Sequence, residues 1–169
     1  MQPSRTLAAM RLSLELARRG TRGANPLVGA VIIDPDGTIL ATGYHRGAGT
    51  PHAEADALTR LGSIDPAAAR AATMLVTLEP CNHTGRTGPC SRAIIDAGIG
   101  KVIFAVADGG AVAGGGAETL RAAGVNVERG LLEDQAAELN HRWFAARTAG
   151  RPFTTLHLAQ TLDGRIAAK

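Results

Sequence analysis

One histidine, one glutamate and two cysteines stand in this chain at spacings that can do hydrolytic chemistry at a metal. His52-Ala53-Glu54 is followed, 26 residues after the glutamate, by Pro80-Cys81, and eight residues separate Cys81 from Cys90. An imidazole and two thiolates make a zinc donor set. Three protein ligands leave the fourth tetrahedral corner to water, which distinguishes a catalytic site from a closed structural one. Two thiolates neutralise Zn²⁺ and a neutral His52 adds no charge. The fourth ligand can then be hydroxide, because zinc lowers the pKa of bound water from about 15.7 toward 7. Such a nucleophile suits attack on an amidine-like ring carbon. Glu54 would protonate the neighbouring ring nitrogen and later pass a proton to the departing amine, leaving a carbonyl and ammonia.

The spacing of His52 and Glu54 constrains where they sit. Two residues in mid-helix lie roughly 200° apart around the axis and point in opposite directions. At a helix start, an ion just off the N-terminus can be approached from several first-turn positions. Pro51 is a helix-opening residue, and Pro89 before Cys90 repeats the pattern. Two helix N-termini are thus expected to converge on one Zn²⁺ per chain, their positive ends together with the zinc favouring thiolate at Cys90 and at Cys81. A disulfide between the two cysteines and a purely structural zinc are the alternatives. Each cysteine sits beside a proline in a Gly-rich loop with a His-x-Glu upstream, which argues for the open metal site.

The elements that must hold these residues follow from the apolar pattern. Leu7, Met10, Leu14 and Ala17 recur at helical spacing, so residues 4–19 read as an amphipathic helix ended by Gly20. The apolar run 28–33 stops at Asp34-Pro35-Asp36-Gly37 and resumes over 38–44, a hairpin. A helix is expected from Pro51 to about Leu61, a short one over 66–72, and a buried strand over 73–78. Beyond the cysteine loop, Pro89 opens a helix ended by Gly98. Residues 101–107 read as strand, 118–123 as helix, 125–128 as a short strand and 132–147 as one long helix. Alternating strands and helices predict an α/β/α layered sheet with right-handed crossovers and ligands beyond the strand ends.

The whole chain of 169 residues, 45% hydrophobic, suits one compact domain with a sizeable core. Eighteen Lys and Arg against fifteen Asp and Glu, with five Phe, Trp and Tyr in all, do not make a nucleic-acid surface. No run approaches the 18 or so apolar residues of a membrane span, so a cytoplasmic protein is expected.

His-x-Glu followed by Pro-Cys and a further Cys resembles the zinc deaminase signature, whose usual second half is Pro-Cys-x-x-Cys. The longer loop here narrows the resemblance. Asn25-Pro26-Leu27-Val28-Gly29, Gly43-Tyr44-His45, Pro51-His52-Ala53-Glu54, Glu79-Pro80-Cys81-Asn82-His83-Thr84-Gly85-Arg86-Thr87 and Pro89-Cys90 together resemble the deaminase domain of bifunctional riboflavin-biosynthesis deaminase/reductases. The resemblance implies a three-layer α/β/α, cytidine-deaminase-like mixed sheet over 1–150. It also implies zinc on His52, Cys81 and Cys90, with Glu54 as proton shuttle. The substrate would be 2,5-diamino-6-(5-phosphoribosylamino)pyrimidin-4(3H)-one, losing its 2-amino group to give 5-amino-6-(5-phosphoribosylamino)uracil. Such deaminases often pair their subunits, which implies a homo-oligomer.

The family further implies substrate contacts at Asn25, His45, Arg86 and Asp108. Asn25 precedes Pro26, which favours extended backbone, and its amide could pair with a ring edge or serve the loop alone. His45 ends a strand, where a structural imidazole and a ligand contact are both open. Arg86, between Gly85 and Thr87, suits a phosphate or ribose partner, with an idle surface arginine as the alternative. Thr87 could add a hydroxyl to the same anion. His83 could touch substrate or hold the zinc loop. Asp108 follows a buried strand and could hold a substrate amino or hydroxyl group.

The chain departs from the family there, reading Asp108-Gly109-Gly110-Ala111 in place of Asp-Pro-Asn-Pro, and Gly110 cannot supply the amide of that asparagine. Residues 156–167 resemble the opening strand and loop of the family's reductase domain, so 151–169 read as the start of a truncated reductase-like domain in a longer natural protein. That segment is expected to dock on the deaminase domain or a neighbouring chain, or to be disordered. NADPH belongs only to such a reductase domain, fused or separate. Two other functions compete with the riboflavin reading. One is the same chemistry on cytosine, cytidine, guanine or a tRNA adenosine. The other is a catalytically silent, zinc-stabilised partner of a reductase.

Overall fold

The computed structural model describes residues 3–83, 88–109 and 114–166. In chain order they form α1 (Pro3–Ala17), β1 (Gly29–Ile33), β2 (Ile39–Tyr44), α2 (Ala53–Leu61), α3 (Pro66–Ala71) and β3 (Thr73–Leu78). Then come α4 (Cys90–Asp96), β4 (Lys101–Val106), α5 (Gly116–Ala122), β5 (Asn126–Arg129), α6 (Glu133–Leu139) and α7 (His141–Ala149). The sheet runs β2-β1-β3-β4-β5, with β1 antiparallel to both neighbours and β3, β4 and β5 parallel.

Why β1, β3 and β4 read as unbroken apolar runs is visible in the packing. Alternate residues of a strand face opposite sides, and here both sides are covered. Ile32, Met74, Val76, Val102 and Phe104 pack with Ala53 and Ala57 of α2, Ile94 of α4, and Ala117 and Leu120 of α5. Val31, Ile33, Leu75, Ile103 and Ala105 pack on the other side with Met10, Leu14 and Ala17 of α1, and with Ala136 and Leu139 of α6. The result is the mixed, three-layer α/β/α sheet.

Two glycines set how closely the site-bearing segments approach. A Cβ at Gly43 would lie 2.3 Å from the Ala53 carbonyl oxygen and 2.4 Å from the Ala57 nitrogen, so only glycine lets α2 lie flat on β2. At Gly116 the added carbon would lie 1.8 Å from the Pro80 carbonyl oxygen, which seats the start of α5 against the chain entering the cysteine loop.

Three expectations change. The single helix over 132–147 is two helices, α6 and α7, with Asn140 at φ −110° and ψ 14° between them. Buried Asn140 turns its side chain to Leu27, accepting from the Leu27 N–H and donating to the Leu27 carbonyl, both at 2.8 Å. This tertiary pairing, absent from any periodicity, interrupts the helix. Neither Pro51 nor Pro89 lies inside a helix: His52 caps α2 and Pro89 caps α4, so Ala53 and Cys90 are the first helical residues. The segment expected as a reductase-like strand forms no strand among the described residues, and Leu156, Leu158, Leu162 and Ile166 are exposed. Phe153 alone of its large apolar groups finds aromatic company, edge-on to His141 and under the Arg142 guanidinium.

Candidate active site

β3 delivers the cysteine loop. After Leu78 the chain stays pinned to β4, the Glu79 N–H donating to the Val106 carbonyl at 2.9 Å, and Pro80 then turns it into Cys81. The loop returns to itself at Cys90, whose N–H points at Cys81 Sγ (3.4 Å), while the Ser91 N–H donates to the Cys81 carbonyl (3.2 Å). The Ser91 hydroxyl donates to Asn82 Oδ1 at 2.8 Å. From the other side α2 begins at the same place. Its cap His52 is extended (φ −67°, ψ 160°) and uses its side chain for no cap bond, leaving the ring free to face the sulfurs.

The donors meet as a zinc site requires. His52 Nδ1 lies 3.6 Å from Cys81 Sγ and 3.3 Å from Cys90 Sγ. Ligands at tetrahedral angles and ordinary Zn–N and Zn–S lengths are about 3.6 Å apart. The imidazole and the two sulfurs all fall within 4.8 Å of one another, the one such His, Cys, Asp and Glu group among the described residues. The donor set and its spacing fit zinc, and both cysteines are buried and unbridged.

The protein's own charges shape this cluster. A hydrogen bond from the Cys90 thiol, then one from His52, pull the Cys81 thiol down to about 4 against its burial. Cys90 is pushed upward, because it keeps the proton it shares with Cys81 and is buried. Without a cation the two sulfurs share one proton, since adjacent buried thiolates repel; the thiolate expected at both belongs to the zinc-bound pair, where Zn²⁺ joins them. His52 is raised by its hydrogen bond to Cys81. Glu54, fully buried in the first turn of α2, is raised to about 7, burial outweighing its backbone hydrogen bonds. A carboxyl that gains and loses a proton near neutrality is what general acid–base work needs.

A pocket of about 210 Å³ opens beside this cluster, lined by His52, Glu54 and Cys81 and by Asn25, His45, His83 and Asp108. Four of the six residues expected to touch substrate are therefore together. Arg86 and Thr87 lie outside the described residues, as does Gly110. Buried His45 has a defined tautomer. Its Nδ1 lies 2.9 Å from the Pro51 carbonyl and must donate, so Nε2 accepts from the Asn25 amide at 3.0 Å. The imidazole orients Asn25 and lines the pocket beside it. His83 Nδ1 is buried and has no hydrogen-bond partner among the described residues, unlike nearly all such atoms.

Sequence reasoning missed the far wall. Trp143 and Arg147, one turn apart on α7, line the same pocket. The Trp143 indole N–H donates to the Ala24 carbonyl at 3.1 Å, and the Arg147 guanidinium stacks on that indole, 4.4 Å from its centroid. Arg147 donates to Asp108 Oδ1 at 2.5 Å. Glu79 braces the same corner, accepting from the Asp108 N–H (3.3 Å) and the Ala117 N–H (3.1 Å). The i, i+4 spacing of Trp143 and Arg147 was legible, but nothing in it pointed at residues 24–25 or 108.

A three-layer mixed sheet with His and Cys donors at two helix starts and a buried glutamate beside them defines the zinc-dependent nucleoside and nucleotide deaminase class. Residues 3–106 match the family model of the cytidine and deoxycytidylate deaminase zinc-binding region, and the chain belongs to that family. Within it, the chain is 48% identical over 161 residues to the riboflavin biosynthesis protein RibD of Aquifex aeolicus, covering 94% of this chain and 44% of that protein. With RibD of Escherichia coli it shares 44% identity over 161 residues, 94% of this chain and 42% of the relative. The chain thus spans less than half the length of these relatives. Among solved structures it is similar to the diaminohydroxyphosphoribosylaminopyrimidine deaminase/5-amino-6-(5-phosphoribosylamino)uracil reductase of Thermotoga maritima, with TM-score 0.84 and 39% identity over 97% of this chain and 47% of that one.

Proposed function

We propose that the chain is the deaminase part of a riboflavin-biosynthesis enzyme. It hydrolyses 2,5-diamino-6-(5-phosphoribosylamino)pyrimidin-4(3H)-one to 5-amino-6-(5-phosphoribosylamino)uracil and ammonia. The observation that carries this is the meeting of His52, Cys81 and Cys90 beside buried Glu54 at the head of a pocket, in a chain whose relatives are RibD proteins.

His52 Nδ1 and the sulfurs of Cys81 and Cys90 would hold one Zn²⁺. Zinc bound there supplies the Lewis acidity that makes water nucleophilic near neutral pH. Glu54 accepts the proton that water loses and delivers it to the ring nitrogen beside the reacting carbon. The water oxygen bonds to that carbon, the carbon–nitrogen bond to the 2-amino group breaks, and Glu54 relays the proton that lets ammonia leave. Water thus adds across the C=N and the exocyclic nitrogen departs, with no net oxidation. Asn25, its amide turned by His45, presents its oxygen to the ring edge, and the partnerless Nδ1 of His83 is a further ring or ribose contact. Arg86 is kept as a phosphate or ribose contact on the resemblance, with Thr87 beside it in the sequence, and Asp108 reaches substrate in company with Arg147.

Residues 1–150 are then the deaminase domain and 151–169 lead into a reductase-like domain, where NADPH would act. A cytoplasmic location is kept from the sequence reading, and pairing of subunits from the resemblance alone. Turnover in water enriched in heavy oxygen tests the reaction. The pyrimidinedione product should carry one heavy oxygen, with one ammonia per product. Unlabelled product, or product without ammonia, would overturn a hydrolytic deamination.

A further inference from the structure

The pocket beside Glu54 is small for the whole of that substrate. Its volume of about 210 Å³ is under the roughly 300–1,000 Å³ of most small-molecule sites. Past Ala24, Asn25, Trp143 and Arg147, which it shares with the pocket, a second and wider groove continues outward, about 690 Å³ in volume. Arg22, Arg142, Arg147 and Arg151 line it, and no Asp or Glu does among the described residues. Arg147 stands at the junction, and is the one Lys or Arg among the described residues that line the inner pocket.

The arrangement holds that guanidinium in place. The α7 helix is fastened by Asn140 on Leu27 and by the Trp143 indole on Ala24. Stacking on Trp143 fixes the plane of the Arg147 fork, one arm of which meets the buried Asp108 carboxylate. The side chain is still about one third exposed (34%), facing the groove. A planar fork with five donors has further N–H groups for an anion after one serves Asp108.

We propose that Arg147, backed by Arg22, Arg142 and Arg151, is an outer anion subsite that takes the phosphate end of the substrate while the ring lies beside Glu54. This rests on the phosphoribosyl reading given above. It makes Arg147 a specificity-determining residue contributed by α7. Phosphate binding there also engages Asp108 through the shared guanidinium, so the ring pocket and the phosphate are linked by one side chain.

Two measurements on the full zinc-loaded chain test this. Calorimetry with ribose 5-phosphate reads the subsite without turnover. Wild type should bind it, and Arg147→Gln should weaken binding on the order of tenfold or more, the size of a lost charge-assisted hydrogen bond. Ammonia release from the diaminopyrimidine, phosphorylated and dephosphorylated, should show wild type preferring the phosphorylated form. Arg147→Gln should lose that preference through KM, with kcat little changed, a split that general loosening of the fold would not give. Should Arg147→Gln fail to fold, the double variant Arg142→Gln with Arg151→Gln should show the same direction of change. Unchanged ribose 5-phosphate affinity, or a phosphate preference as large in the variants as in wild type, would overturn the subsite. A wild-type protein that binds ribose 5-phosphate but releases no ammonia from either pyrimidine would instead overturn the proposed reaction.

Discussion

In the proposed reaction Glu54 carries two demands that conflict everywhere except beside a cation. It must be buried to exclude bulk water, and burial pushes its carboxyl up to about 7. It must also shed a proton readily, which a positive centre within reach encourages. Glu54→Gln keeps the volume and removes the titration. The variant should retain one zinc per chain by metal analysis while ammonia release falls by about 10²–10⁴-fold. Cys90→Ala acts differently. Because metal binding is linked to folding, the variant should lose its zinc and melt at lower temperature, and adding chelator should lower the melting temperature of wild type but not of the variant. At this scale the sequence was informative. His52, Glu54, Cys81 and Cys90 could be read together because each lies at the start of an element or next to a proline, where spacing constrains direction. His45 shows the limit. Its place at a strand end left a structural imidazole and a ligand contact both open, and the hydrogen bonds by which it holds Asn25 depend on Pro51 and Asn25 folding over it.

The α2 helix carries Glu54 and is capped by His52, so whatever seats it sets the site. Gly43 does so by close approach. In Gly43→Ala the new methyl meets backbone atoms at 2.3 and 2.4 Å that no rotamer change can move. The variant should lose about 1–3 kcal/mol in urea unfolding, and activity should fall further than stability because α2 is displaced. Asp56 fastens the same helix to β2. Its carboxylate accepts from the Tyr44 N–H (3.2 Å), and pairs with Arg46 (3.2 Å) and Arg60 (3.5 Å). Desolvation raises its pKa, but hydrogen bonds from Arg46 and Tyr44 and the nearby positive charge outweigh it, and the net shift is downward. A depressed carboxyl stabilises the fold above its unfolded pKa, near 3.8, and that stabilisation is lost as pH falls through the lower folded value. Asp56→Asn should therefore cost about 1 kcal/mol at pH 7, and unfolding curves of variant and wild type should converge as pH is lowered below about 4. Strand and helix identities were legible because β1, β3 and β4 are buried on both faces and α1 on one. The break at Asn140 was not, since it depends on Leu27, more than a hundred residues earlier.

At the scale of the molecule, the sheet provides the frame, and the loops beyond β3 and β4 with two helix starts provide the chemistry. The far wall comes from α7, which returns from the opposite layer. Asn140→Ala removes two buried hydrogen bonds to Leu27 at 2.8 Å and leaves an N–H and a carbonyl unpaired. It should cost about 2–3 kcal/mol in denaturant unfolding, and raise KM more than it lowers kcat, because the wall moves while the metal ligands stay. No helix among the described residues is long and apolar enough to cross a membrane. Layer order and site location followed from alternating strands and helices. The closure of the pocket by α7 did not, because apolar periodicity reports which face a helix buries and not which loop it covers. Whether this cluster deaminates a phosphoribosylated diaminopyrimidine is decided by ammonia release from that compound, cytidine and guanine, each with the chain carrying one zinc. Turnover of the diaminopyrimidine phosphate should stand well above that of both others. A zinc-loaded protein that releases no ammonia from it, or that turns over cytidine or guanine faster, would rule out the proposed substrate.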